Sequence, residues 1–405
     1  MKRIPIHVLI LVAGIFALNA CATYSAQEVG PTPMLQAREQ IPEEALMDVG
    51  IEVFQSAPLS EEDAKEEGTT PEIRKAEGHF IPYHLKNTLQ RSSHWGAVRV
   101  LPADAKGADV IVRGQIIESN GEHLVLRVEA VDATGAIWLN KTYIQEADQQ
   151  SYTGNIPGEK DAFQDLYNAV ANDLAAYKRG KTLPELYTIR RTSRLQFASD
   201  FAPQIFGGYL RIDKNGRVTI NRLPSDADPM MARLLQIRER DNMYVDTLNQ
   251  YYDGFYNEMW PAYEEWRKAN QAEQAGLRKI RADATKKMLV GALLMAAGIA
   301  LGASDMQNTG ALSGMMMVGG GAVMVNGINI SKEAEIHRMA IQELSESFGN
   351  EMKPLVMEFQ GKKYELTGSA EEQYRRWREL LRKIYFAETG FEPEGKPEED
   401  HPKAD

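Results

Sequence analysis

Two stretches late in the chain, Met288 to Ser304 and Ala311 to Ile328, contain no charged residue, and the turn between them carries only Asp305. Polar and charged sequence of helical composition flanks the pair, from Tyr263 to Lys287 before it and from Ser331 to Phe348 after it. In the second flank Ile336, Met339, Ala340, Leu344 and Phe348 recur at helical spacing. The outline is two antiparallel helices whose tip is apolar all round. Gly291, Gly298 and Gly302 lie seven and four residues apart in the first arm, and Gly310, Gly314, Gly320, Gly321 and Gly327 mark the second. Glycine costs a lone helix in water about 1 kcal/mol relative to alanine. Small residues four apart instead let two helix backbones approach closely, a main source of association in lipid. The spacing therefore favours a hairpin embedded in membrane or sealed in a tight oligomer, with a buried hairpin in a soluble core as the alternative.

The amino-terminal end has the three parts of a secretory signal in residues 1–20: cationic Lys2 and Arg3, an apolar run from Ile6 to Leu18, and small Ala20 before the cut. The tetrad Leu18-Asn19-Ala20-Cys21 resembles the bacterial lipobox, with Asn19 a less common choice at its position. That resemblance implies a diacylglycerol on the Cys21 thiol and an N-acyl chain on the new amino terminus. Ala22, standing where an aspartate would retain a lipoprotein in the inner membrane, implies the outer membrane. Cys21 is the only cysteine, so internal disulfides are excluded and stability must come from packing. Residues 21–44, with Pro31, Pro33 and Pro42, read as a lipidated tether. Against the outer-membrane address the apolar arms are about 26 Å long, slightly short of an average core of about 30 Å but suited to a thinner bilayer. The cations Lys286, Lys287 and Lys332 lie outside the turn, which argues against insertion into the inner membrane. The hairpin resembles the glycine-zipper hairpins of bacterial envelope lipoproteins.

Residues 45–180 read as a small periplasmic α/β domain. Val49 to Phe54 is a strand, Pro71 to about Ser92 a helix, and Gly96 to Leu101, Asp109 to Glu118, His123 to Asp132 and Ala136 to Ile144 are strands punctuated by Asn120-Gly121 and Thr134-Gly135. Leu124, Leu126 and Val128 alternate with Val125, Arg127 and Glu129, so one face is buried and the other partly wet. An antiparallel or mixed sheet with a helix across one face follows, and the amphipathic stretch Ala162 to Lys178 packs back on it. The run Ala108-Asp109-Val110-Ile111-Val112-Arg113-Gly114, then Val131-Asp132-Ala133-Thr134-Gly135 and Trp138, resembles periplasmic domains of the TolB amino-terminal, curli-secretion (CsgG) and LpoB type. The resemblance covers about a quarter of the chain and implies partner binding rather than catalysis.

Beyond this domain the reading is a connecting region with a β-hairpin at 181–229, a long helical hairpin at 230–352 with its apolar tip at 288–328, a β-hairpin plus helix at 353–391, and a disordered tail at 392–405. Tyr244, Leu248, Tyr251, Phe255 and Met259 make one helical stripe, which Pro261 is expected to kink or interrupt near Trp260. Arg190, Arg191 and Arg194 read as pairing with nearby acidic residues on a helix surface rather than as an anion site, and Arg375, Arg376, Arg378 and Arg382 as a solvated face. The fold class is thus α+β: a small N-terminal sheet-plus-helix domain, then a long antiparallel helical hairpin with a glycine-rich tip, then a small C-terminal β-hairpin plus helix.

No nucleophile elbow, phosphate loop or His-Glu-x-x-His helix occurs, so no enzyme is expected. His79 and His84, five apart on a helix, point about 140° apart and do not make a metal pair. No cofactor is expected beyond the acyl chains on Cys21. The net charge of -11 argues against nucleic acid. The expected partners are membrane lipid, the chain itself through its glycine-rich hairpin, and an unidentified envelope protein. The expectation is an outer-membrane lipoprotein facing the periplasm, with a structural, assembly or partner-binding role. The alternatives are a subunit of an oligomeric export channel and a periplasmic peptidoglycan-active factor.

Overall fold

The computed structural model describes residues 25–102, 105–225, 227–300, 332–350, 354–359 and 362–390. Its elements run β1 (Ser25–Glu28), β2 (Val49–Glu52), β3 (Gln55–Ser56), α1 (Glu61–Glu67), α2 (Pro71–Arg91), β4 (Val98–Leu101), β5 (Val110–Ser119), β6 (His123–Asp132) and β7 (Ile137–Glu146). Then come α3 (Gln164–Arg179), α4 (Leu183–Phe201), α5 (Pro203–Phe206), β8 (Leu210–Ile212), β9 (Val218–Ile220), α6 (Pro229–Ala300), α7 (Lys332–Asn350), β10 (Leu355–Phe359), β11 (Lys362–Leu366) and α8 (Ala370–Thr389). Both helices and a mixed sheet are present, and the class is α+β.

The main sheet has the order β1-β7-β6-β5-β2-β4, with β3 beside β5. β5, β6 and β7 form an antiparallel meander, whereas β1, β2, β3 and β4 join it by parallel pairing. Alternation along β6 decides the sheet's two faces: Leu124, Leu126, Val128 and Ala130 are buried, while Val125, Arg127 and Glu129 are half-buried. The turn from β6 to β7 is a hydrogen-bonded unit. The Asp132 carboxylate accepts from the Thr134 amide at 2.8 Å, the Thr134 hydroxyl at 2.6 Å and the Trp138 indole N–H at 2.7 Å. That explains physically why aspartate, threonine, glycine and tryptophan occur together here: the turn needs an acceptor, and the buried indole needs the same one.

The Thr70 side chain caps α2 by accepting from the Ile73 amide, and Pro71 occupies its first turn. α2 and α3 lie side by side, with Gln164 bonded to both His84 and Thr88. α6 packs outside α2, where Phe80 stacks on Tyr256 with ring centroids 4.5 Å apart. Tyr83 bonds Asp253 and Glu77 receives Tyr263, so α6 runs antiparallel to α2. Ser345 reaches the Glu72 carbonyl and Phe348 lies against His79, so α7 runs parallel to α2 and antiparallel to α6.

α6 also closes the outer edge of β4. The Asn249 side chain accepts from the Val100 amide and donates to the Val100 carbonyl, both at 2.9 Å, as a neighbouring strand would. Arg99 and Asp246 pair beside it at 2.6 Å.

Three features depart from the sequence reading. Pro261 does not interrupt α6, which continues through it. A mid-helix proline costs about 3 kcal/mol, but Met259, Trp260, Tyr263 and Trp266 on either side of it are all buried, and burial of each large apolar side chain contributes about 1.5–3 kcal/mol. Packing outweighs the lost hydrogen bond. The stretch read as a tether is, from Ser25 on, part of the sheet domain: β1 pairs with β7, and the Thr32 and Leu35 amides donate to Asp165 and Asn172 of α3, each at 2.8 Å. The region read as a connection contains α4, which packs across one end of the sheet: Ser193 donates to Asp109, and Gln196 to the Ala133 carbonyl at 2.8 Å.

Candidate functional site

Cys21 and the lipobox residues Leu18, Asn19 and Ala20 lie outside the described residues, as do Gly302, Gly310, Gly314, Gly320, Gly321 and Gly327. Gly291 and Gly298 fall within α6. Among the described residues no helix is long and apolar enough to cross a membrane, and no group of three or more His, Cys, Asp or Glu is placed to hold a metal ion. What the described residues do contain is the joint by which α6 is fixed to the sheet domain.

The joint is built mainly from buried polar side chains that pair with one another. Arg267 of α6 meets Asp161, just before α3, through two hydrogen bonds of 3.0 and 2.6 Å, and the two side chains are 1% and 0% exposed. Burial raises the Asp161 pKa, but the charge and hydrogen bonds of Arg267, together with His84 and the Phe163 amide, outweigh it and hold the carboxyl below its ordinary value. The same guanidinium stacks 4.3 Å from the Tyr263 ring centroid. One turn of α6 earlier, the Tyr263 hydroxyl donates to Glu77 at 2.6 Å, where Ser119 also donates at 2.6 Å and Arg74 completes an ion pair. Burial, and then the Glu77 carboxylate, push the Tyr263 phenol well above its ordinary value, so it remains a donor.

His84 completes the joint. Its Nε2 faces the Gln164 Oε1 at 2.9 Å and its Nδ1 faces the Tyr256 hydroxyl at 2.7 Å, while that hydroxyl accepts from the Gly158 amide at 2.9 Å. The partners assign a neutral ring with the proton on Nε2, in keeping with burial, which lowers the His84 pKa. Gly121 lets the backbones meet: its φ is +80°, and a Cβ there would lie 2.2 Å from the Arg267 carbonyl oxygen. Asn270 then donates to the Glu67 and Asn120 carbonyls at 2.7 and 2.6 Å. The last described tie between α6 and the sheet is Arg278, paired with Glu122 and with Glu146. From there the helix runs on to Ala300, about 33 Å farther at 1.5 Å per residue.

The chain was compared with protein-family models, characterised proteins and solved structures. No match was found. The functional reading therefore rests on the residues themselves.

A second polar cluster joins α6 to α8. Arg378, read from sequence as solvated, is buried; it reaches Asp200 at 2.6 Å and lies 3.6 Å from Asp241, which accepts from the Tyr374 hydroxyl at 3.2 Å. Burial pushes Asp241 up to about 6, against the pull of Arg378. Beside it is a cavity of about 320 Å³ lined by Lys106, Asp200, Glu371, Arg375 and Arg382, among others. Neither cluster was visible in the sequence. Asp161 and Arg267 are 106 residues apart, and no local pattern marks either as a buried partner. The one available signal was Gly121, a turn glycine that also leaves room for a helix.

Proposed function

We propose that this chain is an outer-membrane-anchored lipoprotein that acts as a structural, assembly or partner-binding component of the cell envelope. In this reading the acyl chains on Cys21 hold the protein at the membrane, the sheet domain offers the partner surface, and the glycine-rich hairpin inserts in lipid or self-associates. It works by binding and not by turnover. The supporting observation is the joint: ion pairs and hydrogen bonds, with the Arg267–Asp161 pair fully buried among them, tie α6 to the sheet from Asp246 to Arg278, and the helix continues from there to Ala300. A helix so fixed can hold whatever lies at its far end at a set distance from the sheet, as a scaffold requires.

The experiment is to follow the mature chain with and without Cys21→Ser. Mass spectrometry of the amino-terminal peptide is expected to find two or three acyl chains on the natural protein. The serine form is expected to remain with membranes or to run as an oligomer through the hairpin. A serine form that is fully soluble and monomeric would remove the hairpin's proposed role, and an unacylated Cys21 would remove the anchoring.

A further inference from the structure

The end of the sheet at which β5 and β7 begin is covered by α4 and the β8–β9 hairpin. Arg190 of α4 donates to the Glu43 and Glu44 carbonyls, each at 3.1 Å, and the Val218 amide of β9 donates to the Thr134 carbonyl at 2.9 Å. The inner face of α4 is thereby spent on the domain. Its outer face presents Leu183, Tyr187 and Arg191, all exposed and spaced four residues apart, while Arg194, also exposed, lines a groove toward α6 with Asp48, Asp109 and Glu239. The hairpin beside it presents Arg211, Ile212, Lys214 and Arg217, also exposed, with Ile212 at 68% the most exposed large apolar side chain among the described residues.

Charge separates this end from the rest of the molecule. Residues 181–223 hold eight Lys or Arg and three Asp or Glu, in a chain whose net charge is -11. The three acids are already engaged: Glu185 caps α4 at Thr182, Asp200 pairs with Arg378, and Asp213 accepts from the Asn215 and Arg217 amides of its own turn. Among the described residues no carboxylate pairs with Arg191, Arg194, Arg211, Lys214 or Arg217. Aliphatic side chains that protrude among unpaired cations match a lipid interface, where the apolar groups reach the acyl boundary and the cations meet phosphates. A folded acidic partner would need the cations but not a bare isoleucine among them.

The amino terminus arrives at the same end. β1 is parallel to β7 with Ser25 beside Lys141, so the strand is entered from the side where Ile137 begins β7. Ser25 is four residue steps from Cys21, a reach of at most about 14 Å.

We propose that the outer face of α4 and the β8–β9 hairpin form a lipid-facing surface that seats on anionic headgroups. The surface stands on its own residues; only its orientation toward the anchoring membrane rests on the proposed acylation of Cys21.

The test uses the mature chain with Cys21→Ser and two vesicle preparations, phosphatidylcholine alone and phosphatidylcholine with phosphatidylglycerol. Cosedimentation is expected to be stronger with phosphatidylglycerol and to weaken with salt. Each cation near such a surface is worth about fivefold in binding, so Arg211→Gln, Lys214→Gln and Arg217→Gln together are expected to weaken the phosphatidylglycerol-dependent part about a hundredfold. Ile212→Ser is expected to weaken binding without changing its salt dependence. Arg375→Gln, Arg376→Gln and Lys383→Gln on α8 remove the same charge elsewhere and are expected to leave most of the binding. Insertion by the glycine-rich hairpin would persist in both vesicle types and at high salt, so it is read separately. Absence of a salt-sensitive, phosphatidylglycerol-dependent part of the binding, or equal losses of that part in the two triple variants, would overturn the surface. Acylation of Cys21 is scored by mass: an unmodified cysteine with intact charge-dependent binding removes the anchor and keeps the surface.

Discussion

Replacing Asp161 by asparagine tests whether α6 and the sheet domain are one body. The change keeps the shape and an acceptor for the Phe163 amide, which Asp161 holds at 2.9 Å. It leaves Arg267 charged, 1% exposed and without its counter-ion. Removal of one partner from a buried ion pair costs about 3–5 kcal/mol. Because the substituted carboxamide would still accept one guanidinium N–H, and the stacking of Arg267 on Tyr263 at 4.3 Å survives, the lower end applies. About 3 kcal/mol is roughly a hundredfold in an opening equilibrium. Amide hydrogen exchange across α6 from Trp260 to Asn270 is the direct assay, since local opening exposes these amides first. Asp161→Asn is expected to raise exchange there about a hundredfold. The double variant Asp161→Leu with Arg267→Met is expected to recover most of it, because an apolar pair carries no desolvation cost. A rise below about threefold, or a double variant no better protected than the single, would show that the pair does not hold the helix.

Gly121→Ala and Gly216→Ala separate backbone strain from crowding. Both glycines have positive φ, but an added Cβ meets the Arg267 carbonyl at 2.2 Å at Gly121 and nothing within 4 Å at Gly216; melting curves are expected to show a loss of about 1 kcal/mol at Gly216 and at least twice that at Gly121. Asn249→Asp keeps an acceptor for the Val100 amide but turns a carboxylate toward the Val100 carbonyl; a loss of about 2–3 kcal/mol in urea denaturation and more aggregation are expected. Asp241 behaves oppositely to a paired surface carboxylate. With its folded pKa raised to about 6 above an unfolded value near 3.8, its contribution to stability is full below the unfolded value and is lost as pH rises through 6. The expected fall is on the order of 3 kcal/mol at most, and Asp241→Asn is expected to flatten that part of the stability–pH curve.

The sheet was legible where one face is buried and the other is wet, because period two is then written into the residues themselves: the His123–Asp132 strand has the predicted bounds. β1 was not legible. Its four residues, Ser25-Ala26-Gln27-Glu28, have no apolar alternation, and what makes them a strand is the edge that β7 offers. The interruption expected at Pro261 is absent for a related reason, since a local rule about hydrogen bonds was outweighed by aromatic packing supplied from α2. Arg378 lies in an arginine-rich stretch that looks solvated, and only the fold brings Asp200 to it from 178 residues away. The joint is therefore the least predictable part of the molecule: its polar partners come from α2, the β5–β6 turn and the approach to α3. Each is ordinary in its own segment.

Asn249 has a further consequence for how a partner can bind. A protein that recognises others by β-augmentation needs a strand with free amides and carbonyls, and here the side-chain amide of Asn249 takes both groups of Val100 on the β4 side. The opposite edge of the sheet is β1, four residues long, shorter than the usual strand of about five to six. Among the described residues, the main sheet thus leaves one port for strand addition, with room for only a short segment. If Cys21 is acylated as proposed, that port opens within four residues of the lipid, and a partner recruited there would be placed against the bilayer.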